Sequence, residues 1–381
     1  KPKRRRFRMK KFLVGLGAVL LVFLLFQTGV SADKKEKKEY LVMFDGPAKN
    51  GILQAFGVND GDVLREFELL DVYQIELSDN QANGLKNHPQ IKFVEENAEA
   101  EAYNQTVPYG IPQVEGTEAQ DLGFSGGGVK VAVLDTGIDR SHPDLNVAGG
   151  HSVFSDGENG DPYNDGSGHG THVAGTIAAL DNNLGVLGVT PNVELYAVKV
   201  LDNSGSGSYA DIAAGIEWAI QNDMEVINMS LGGSTSSSIL EEYSNLAYNS
   251  GILVVAAAGN DGSFLWFDTV GYPAAYDSVI AVAAVDENNQ RGSFSSVGSQ
   301  VELSAPGVQV LSTVPGGGYD SLNGTSMASP HVAGVAAQVW QAKPNLSNVE
   351  LRQLLRDTAE PLGAQREYGF GLVQSVDAIQ Q

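Results

Sequence analysis

The chain has 381 residues, 42% of them hydrophobic, with no cysteine and a formal net charge of −22. The lack of cysteine excludes disulfide bridges, a thiol nucleophile and cysteine-ligated metals. Residues 1–103 carry a net charge of +1 and residues 104–381 a net charge of −23. This difference predicts two different units, of which the acidic one is a poor partner for nucleic acid or an anionic membrane and a good candidate for binding calcium.

The amino-terminal segment has the features of an export signal. Residues 1–11 include eight lysines or arginines, residues 12–26 are almost wholly apolar, and Val30-Ser31-Ala32 follows shortly after. This order predicts a secretory signal peptide over residues 1–32, cleaved after Ala32, and therefore a secreted, extracellular protein with no stable membrane association once mature. A membrane anchor is the alternative, but fifteen apolar residues are fewer than the roughly 20 that span a bilayer.

After a charged link over residues 33–39, residues 40–103 have the pattern of a small α+β domain. Hydrophobic patterns predict strands at 40–44, 63–70, 72–77 and 91–95 and helices at 48–56 and 79–87. The order βαββαβ is that of ferredoxin-like domains. A unit of this size with no disulfide is marginal in stability, so we expect it to need a partner surface.

From residue 104 onward, short apolar runs alternate with helical patterns. Strands are predicted at 129–134, 194–200, 226–229, 253–257, 279–285 and 301–305, and helices at 172–179, 209–222, 238–250, 329–342 and 348–357. Several of the strands are continuous runs of Val, Ile, Leu and Ala, which is typical of parallel strands buried on both faces. We therefore expect a doubly wound, mostly parallel α/β sheet with its site at the carboxyl ends of the strands.

Three stretches of this second part bear chemically active side chains. Asp135 ends a buried strand, a glycine-rich loop leads to His169, and Ser326 lies among small residues before a long apolar run. A serine hydroxyl needs a base to take its proton, and the base needs a partner that holds its ring. Each residue alone has an ordinary alternative: a turn or cap for Asp135 and Ser326, and a metal pair with His172 for His169. The conjunction of all three favours a nucleophilic hydrolase.

These stretches resemble the signature motifs of a known family. Asp-Thr-Gly at 135–137, His-Gly-Thr-His-Val-Ala-Gly at 169–175 and Gly-Thr-Ser-Met-Ala-Ser-Pro-His at 324–331 are similar, in this order, to the motifs of the subtilisin-like serine proteases. Residues 33–103 resemble the propeptide of that family, an intramolecular chaperone and inhibitor. The resemblance implies a secreted, monomeric serine endopeptidase over residues 104–381 that cuts its own chain near Tyr103–Asn104.

The resemblance also implies roles for individual residues. Ser326 would attack the scissile carbonyl, His169 would move the proton, Asp135 would orient the imidazole, and Asn260 would stabilise the oxyanion beside the Ser326 N–H. Protein and peptide substrates would bind as an extended strand, with a large apolar P1 side chain in a pocket of small residues. The implied substrate-binding residues are Gly205, Ser206, Gly207, Ser230, Leu231 and Gly232 along the strand and Ala257, Ala258, Gly259 and Gly271 at the P1 pocket.

Calcium is the cofactor that the resemblance implies. A tight site would use the side chains of Gln105, Asp144 and Asn182 with the carbonyls of Leu180, Leu184 and Val186, and a weaker cation site would use Ala274, Tyr276 and Glu302. Two other functions remain open at this stage. One is a catalytically silent peptide-binding protein of the same fold, and the other is a membrane-tethered processing protease that keeps residues 12–26.

Overall fold

The structure is a computed structural model that describes residues 37–46, 50–67, 69–98, 105–155, 157–262 and 267–381. The predicted signal peptide and the predicted cleavage point at Tyr103–Asn104 lie outside these residues. The chain divides into two compact units, Lys1–Glu101 and Ala102–Gln381. No helix in the described parts of the chain is long and apolar enough to cross a membrane.

The first unit is a four-stranded antiparallel sheet with two helices. Its elements are β1 (Lys38–Phe44), α1 (Asn50–Ala55), β2 (Val63–Phe67), β3 (Val72–Leu77), α2 (Asp79–Lys86) and β4 (Ile91–Glu96). The strands lie in the order β2-β3-β1-β4, so the βαββαβ arrangement predicted from the sequence is confirmed. One face of the sheet carries the buried core, which includes Val42, Ile75 and Leu77. The side chains of Leu41, Met43, Phe67 and Phe93 instead line an open groove of about 780 Å³.

The second unit is built on a seven-stranded parallel sheet. Its strands are β5 (Lys130–Asp135), β6 (Val147–Ser152), β7 (Glu194–Lys199), β8 (Val226–Met229), β9 (Leu253–Ala257), β10 (Ile280–Val285) and β11 (Val301–Pro306). They lie in the order β11-β10-β9-β8-β5-β7-β6, and every neighbouring pair is parallel. All six predicted strands are present and the α/β fold class is confirmed. The prediction missed β6, whose two glycines weaken the apolar pattern, and the hairpin of β12 (Val310–Val314) and β13 (Gly318–Leu322).

Helices cover both faces of this sheet. They are α3 (Gly110–Gln113), α4 (Gly116–Asp121), α5 (His169–Ala178), α6 (Tyr209–Gln221), α7 (Ser238–Asn249), α8 (Thr325–Ala342), α9 (Asn348–Asp357), α10 (Gln365–Tyr368) and α11 (Ser375–Gln380). Alternate residues of β5 belong to opposite cores: Val131 packs with α5 and α8, whereas Ala132 packs with α6 and α7. This two-sided burial explains the continuous apolar runs of the strands.

Two helices begin earlier than the sequence predicted. Helix α5 begins at His169 rather than at residue 172, and α8 begins at Thr325 rather than at residue 329. The prediction for α8 placed Pro330 in the first turn, where proline is best tolerated, but Pro330 is the sixth residue of the helix. Two of the candidate catalytic residues, His169 and Ser326, therefore lie in the first turn of a helix.

The sheet order also explains where the site lies. Strands β5 and β8 are neighbours at the point where the strand order reverses. In open α/β sheets a cleft forms at such a point, beyond the carboxyl ends of the two strands. Asp135 ends β5, and Ser230 directly follows β8.

Candidate active site

The structure brings Asp135 and His169 into contact. Asp135 is fully buried, and its Oδ1 lies 2.8 Å from Nδ1 of His169. The same oxygen accepts a hydrogen bond of 2.7 Å from the Thr136 N–H. Burial disfavours the charged imidazole, but the charge and hydrogen bond of Asp135 and the charge of Asp165 outweigh this effect and raise the pKa of His169. With Nδ1 held by the carboxylate, Nε2 on the other side of the ring is the atom left for proton transfer.

A buried carboxylate in the glycine-rich loop joins strand β5 to helix α5. Asp165 Oδ1 accepts from the Thr136 hydroxyl at 2.7 Å and from the Gly168 N–H at 2.8 Å. Its Oδ2 accepts from the N–H and the hydroxyl of Thr171, at 2.8 and 2.6 Å. Gly170 fits between the two elements because a Cβ there would lie 2.1 Å from the carbonyl oxygen of Gly137. The loop thus holds His169 against the end of β5.

Ser326 lies in the same region, and its hydroxyl donates to the carbonyl oxygen of Ser230 at 3.2 Å rather than to His169. Ser230 and His169 line one cleft, so the Ser326 hydroxyl is bonded to a residue of the cleft that the imidazole also lines. Catalytic hydrogen bonds in enzymes without substrate are often long or poorly aligned. Rotation about the Cα–Cβ bond of Ser326 is the adjustment that would turn its hydroxyl towards the histidine.

Asn260 follows strand β9, and Thr325 fixes the orientation of its side chain. Its Oδ1 accepts hydrogen bonds from the N–H of Thr325 at 3.0 Å and from the Thr325 hydroxyl at 3.1 Å. Because a backbone N–H can only donate, the atom facing it must be the amide oxygen. The Nδ2 group of this exposed residue is therefore free of Thr325 and available as a donor.

Beside the imidazole is a cleft of about 410 Å³. The backbone segments predicted to bind substrate all line it: Gly205, Ser206, Gly207, Ser230, Leu231 and Gly232. The residues predicted for the P1 pocket are not part of its lining. Among them, Ala257 and Ala258 are buried, and the Gly271 N–H donates to the Ala258 carbonyl oxygen at 2.9 Å.

Comparison with known proteins shows the family of the chain. Residues 126–371 match the model of the subtilase family, peptidase family S8. The chain belongs to the subtilase family. It is 48% identical to subtilisin NAT of Bacillus subtilis subsp. natto, over 98% of this chain and 100% of the relative. It is 51% identical to a thermostable alkaline protease of Halalkalibacterium halodurans, over 94% of this chain and 97% of the relative. This subtilase is a serine endopeptidase.

The residues predicted for a tight calcium site meet in one loop region of the subtilase. Asp144 is fully buried, and its Oδ2 accepts from the Val186 N–H at 2.9 Å. The side-chain amide of Gln105 contacts the carbonyl oxygens of Leu180 and Val186, and Asn182 Oδ1 accepts from the Leu184 N–H at 2.8 Å. Burial raises the pKa of Asp144, and its hydrogen bonds offset this only in part.

This donor set fits calcium. Carboxylate, carbonyl and amide oxygens are the ligands that calcium prefers, and a buried carboxylate with no ion-pair partner among the described residues gains from a cation. A half-turn of the Gln105 amide would place Oε1 beside the two carbonyl oxygens. In the described parts of the chain no three acidic or histidine side chains cluster as a metal site, so backbone carbonyls would supply much of the coordination.

The structure places two arginines on Glu302, which was predicted as a cation ligand. Its Oε1 accepts from Nε of Arg352 and from Nε of Arg356, both at 2.7 Å, and its Oε2 contacts a second Arg352 nitrogen. The side chains of Glu302 and Arg352 are only 6% and 8% exposed. Two guanidinium groups already satisfy this carboxylate, and their positive charge would oppose a cation beside it, so Glu302 is a poor ligand for the predicted weaker site with Ala274 and Tyr276.

Sequence reasoning missed Lys199, the last residue of β7. It is fully buried and lies opposite Asp135 in the register of the sheet. Its Nζ donates to the carbonyl oxygen of Thr136 and, at 2.9 Å, to Oδ1 of Asn203, and burial lowers its pKa. The available signal was a lysine at the end of an otherwise apolar strand, next to a strand that ends in the candidate catalytic aspartate.

Proposed function

We propose that Ser326, His169 and Asp135 act as the catalytic triad of this endopeptidase, with Asn260 as an oxyanion donor. Ser326 Oγ attacks the scissile carbonyl carbon while its proton passes to His169 Nε2. The charged imidazole is stabilised by Asp135 and then protonates the leaving amine, and water attacks the acyl-enzyme by the same route in reverse. The observation that carries this proposal is the 2.8 Å contact between Asp135 and His169 at the end of β5.

The oxyanion needs donors placed before the reaction begins. The N–H of Ser326 lies in the first turn of α8, where the positive end of the helix dipole favours negative charge. Nδ2 of Asn260 is the second donor, since Thr325 occupies the oxygen of that amide. Both donors are thus fixed by bonds made in the absence of substrate.

Substrate recognition is proposed to be mainly through backbone contacts. An extended peptide would pair with Gly205-Ser206-Gly207 and Ser230-Leu231-Gly232, which line the cleft beside His169. Small residues leave room for a large side chain, so the P1 group would be apolar and would be received by Ala257, Ala258, Gly259 and Gly271.

We further propose that the chain is a secreted precursor. Residues 1–32 are the signal peptide, residues 33–103 the inhibitory propeptide, and residues 104–381 the mature, monomeric, extracellular protease. The division of the chain between Glu101 and Ala102 supports a boundary near the predicted cut at Tyr103–Asn104. The open apolar groove on the sheet of the small unit supports the expectation that it works against a partner surface.

Calcium is the proposed cofactor. Asp144, Asn182 and Gln105, with the carbonyls of Leu180, Leu184 and Val186, would hold it. When bound, the ion supplies a structural cross-link in a protein that has no disulfide. The chain's own part is to keep the buried Asp144 carboxylate ionised and the loop around residues 180–186 in place.

The test is expression of residues 33–381 as wild type and as Ser326→Ala, followed by mass analysis and assay on peptides. We expect only the wild type to split near Tyr103–Asn104 and to hydrolyse peptides with large apolar P1 groups. Peptide hydrolysis by the Ser326→Ala variant would overturn the proposed nucleophile. Amino-terminal sequencing of the protein exported from cells would distinguish the secreted enzyme from a membrane-tethered processing protease.

A further inference from the structure

Pro330 removes one hydrogen bond from the helix that carries the nucleophile. In α8 the carbonyl oxygen of Ser326 would accept from the N–H of the residue four positions later, which is Pro330. Proline has no N–H, so this acceptor needs another donor. The donor is Ser230, whose hydroxyl lies 2.7 Å from the carbonyl oxygen of Ser326.

The Ser230 hydroxyl is itself held in place by a buried chain of polar groups. Asn228, on strand β8, donates from Nδ2 to Ser230 Oγ at 3.0 Å, and Ser329 Oγ donates to Oδ1 of Asn228 at 2.6 Å. Ser230 is 3% exposed, and Asn228 and Ser329 are fully buried. Since Ser230 Oγ already accepts from Asn228, its own proton is directed to Ser326. The chain of bonds links the end of β8 to α8 at two points, Ser326 in its first turn and Ser329 in its second.

We propose that Ser230 is a positioning residue for the nucleophile, and that its hydroxyl replaces the helix hydrogen bond that Pro330 removes. This inference rests on the proposed role of Ser326. The Ser230 hydroxyl takes no part in proton transfer. It fixes the backbone at Ser326, and with it the direction of the Ser326 N–H and the starting position of Oγ beside His169.

This role predicts an effect on the chemical step rather than on substrate binding. Ser230 is proposed to contact substrate through its backbone, which Ser230→Ala keeps. A displacement of the first turn of α8 would misalign Oγ and the N–H donor together, and both matter most in the transition state. The loss of one neutral hydrogen bond corresponds to roughly a tenfold change.

The experiment compares kcat and KM of the wild type, Ser230→Ala, Pro330→Ala and the double variant, each made as residues 33–381. Concentrations of active enzyme are obtained by titration with a serine-directed sulfonyl fluoride, so that misfolded protein is not counted. We expect Ser230→Ala to lower kcat about tenfold with little change in KM. In the Pro330→Ala background the loss should shrink to about twofold or less, because residue 330 then has an N–H for Ser326.

Two controls make the result specific. Ser244→Ala deletes an equally buried hydroxyl that donates to the Leu240 carbonyl oxygen at 2.8 Å within α7, remote from the cleft, and should leave kcat unchanged. Ser230→Thr keeps the hydroxyl and should recover at least part of the activity. Should Ser230→Ala yield little mature enzyme, the rate of self-cleavage of its precursor, followed by mass, gives the same comparison.

The outcomes separate this inference from the proposed function. Two results would overturn the positioning role and leave the triad intact. One is an unchanged kcat in Ser230→Ala. The other is an equal loss of kcat on Ser230→Ala whether residue 330 is proline or alanine. Activity in the Ser326→Ala variant overturns the proposed nucleophile, and the positioning role with it. A loss confined to the proline background supports the inference.

Discussion

Thr325 donates two hydrogen bonds to the same atom of Asn260: its backbone N–H at 3.0 Å and its hydroxyl at 3.1 Å both reach Oδ1. The Thr325 hydroxyl in turn accepts from the Gly259 N–H at 3.1 Å. The residue next to the candidate nucleophile therefore fixes the orientation of the Asn260 amide, with Oδ1 towards Thr325. Thr325 thus connects the orientation of Asn260, the proposed oxyanion donor, to the backbone next to Ser326, the proposed nucleophile.

Replacement of Asn260 by leucine is expected to lower kcat and to leave KM nearly unchanged, because the donor serves charge that develops only in the transition state. The expected loss, about 10²–10³ in kcat, is the value established for such an asparagine in subtilisin itself and is not deduced from this structure. Steady-state kinetics on a peptide with an apolar P1 group would measure it. Asn192→Leu, at an exposed amide that bonds Ser125, is the control. A rise in KM alone would contradict the oxyanion role.

Calcium should stabilise the subtilase through Asp144. In the inactive Ser326→Ala background, added calcium at about 100 times its Kd should contribute about 2.7 kcal/mol to folding and raise the unfolding midpoint by several degrees. Asp144→Asn should abolish this increment, since the buried carboxylate is the charged member of the set. Asp121→Asn removes the same charge from an exposed position on α4 and should retain the increment. Equal protection of both variants by calcium would place the ion elsewhere.

Glu302 should matter for stability and not for calcium. Glu302→Ala leaves Arg352 buried and unpaired, and removal of one partner of a buried ion pair costs about 3–5 kcal/mol. Thermal unfolding in the Ser326→Ala background would report a lower midpoint with an unchanged calcium response. The matched control is Asp268→Ala, which breaks an ion pair with Arg366 whose side chains are 38–39% exposed and should cost at most about 1 kcal/mol. Loss of the calcium response in Glu302→Ala would instead support Glu302 as a ligand of the weaker cation site.

Much of the fold and site followed from the sequence because the deciding signals are local. Buried parallel strands read as apolar runs, and the motifs around His169 and Ser326 lie within single stretches of the chain. The features that were not predicted depend on contacts between residues far apart in the chain. The partners of Glu302 come from α9, and the role of Lys199 depends on its register beside Asp135. Strand β6 was missed because its own composition is not typical of a strand. It is a strand because it pairs with β7.

Acid should destabilise the second unit through two buried histidines. Burial lowers the pKa of His172 and of His331 to about 4, from about 6.5 in the unfolded chain. Because the folded form keeps both rings neutral, the unfolded chain binds more protons between these values. The stability that the neutral rings contribute is complete above pH 6.5 and is lost as the pH falls towards 4, on the order of 3 kcal/mol for each histidine.

The unfolding midpoint of the Ser326→Ala protein, measured from pH 8 to pH 4, would test this. The midpoint should change little above pH 7 and fall steeply below pH 6.5. His172→Gln loses the imidazole, whose Nε2 lies 3.0 Å from the Val310 carbonyl oxygen and 3.1 Å from that of Asp320, so the variant should be less stable at pH 8. Its midpoint should nevertheless fall less than that of the parent between pH 6.5 and pH 4, because one titrating group has been removed. Parallel curves of midpoint against pH for the two proteins would contradict a contribution of His172 to acid unfolding. A substitution that only weakens the structure lowers the midpoint equally at every pH and leaves the slope of the curve unchanged.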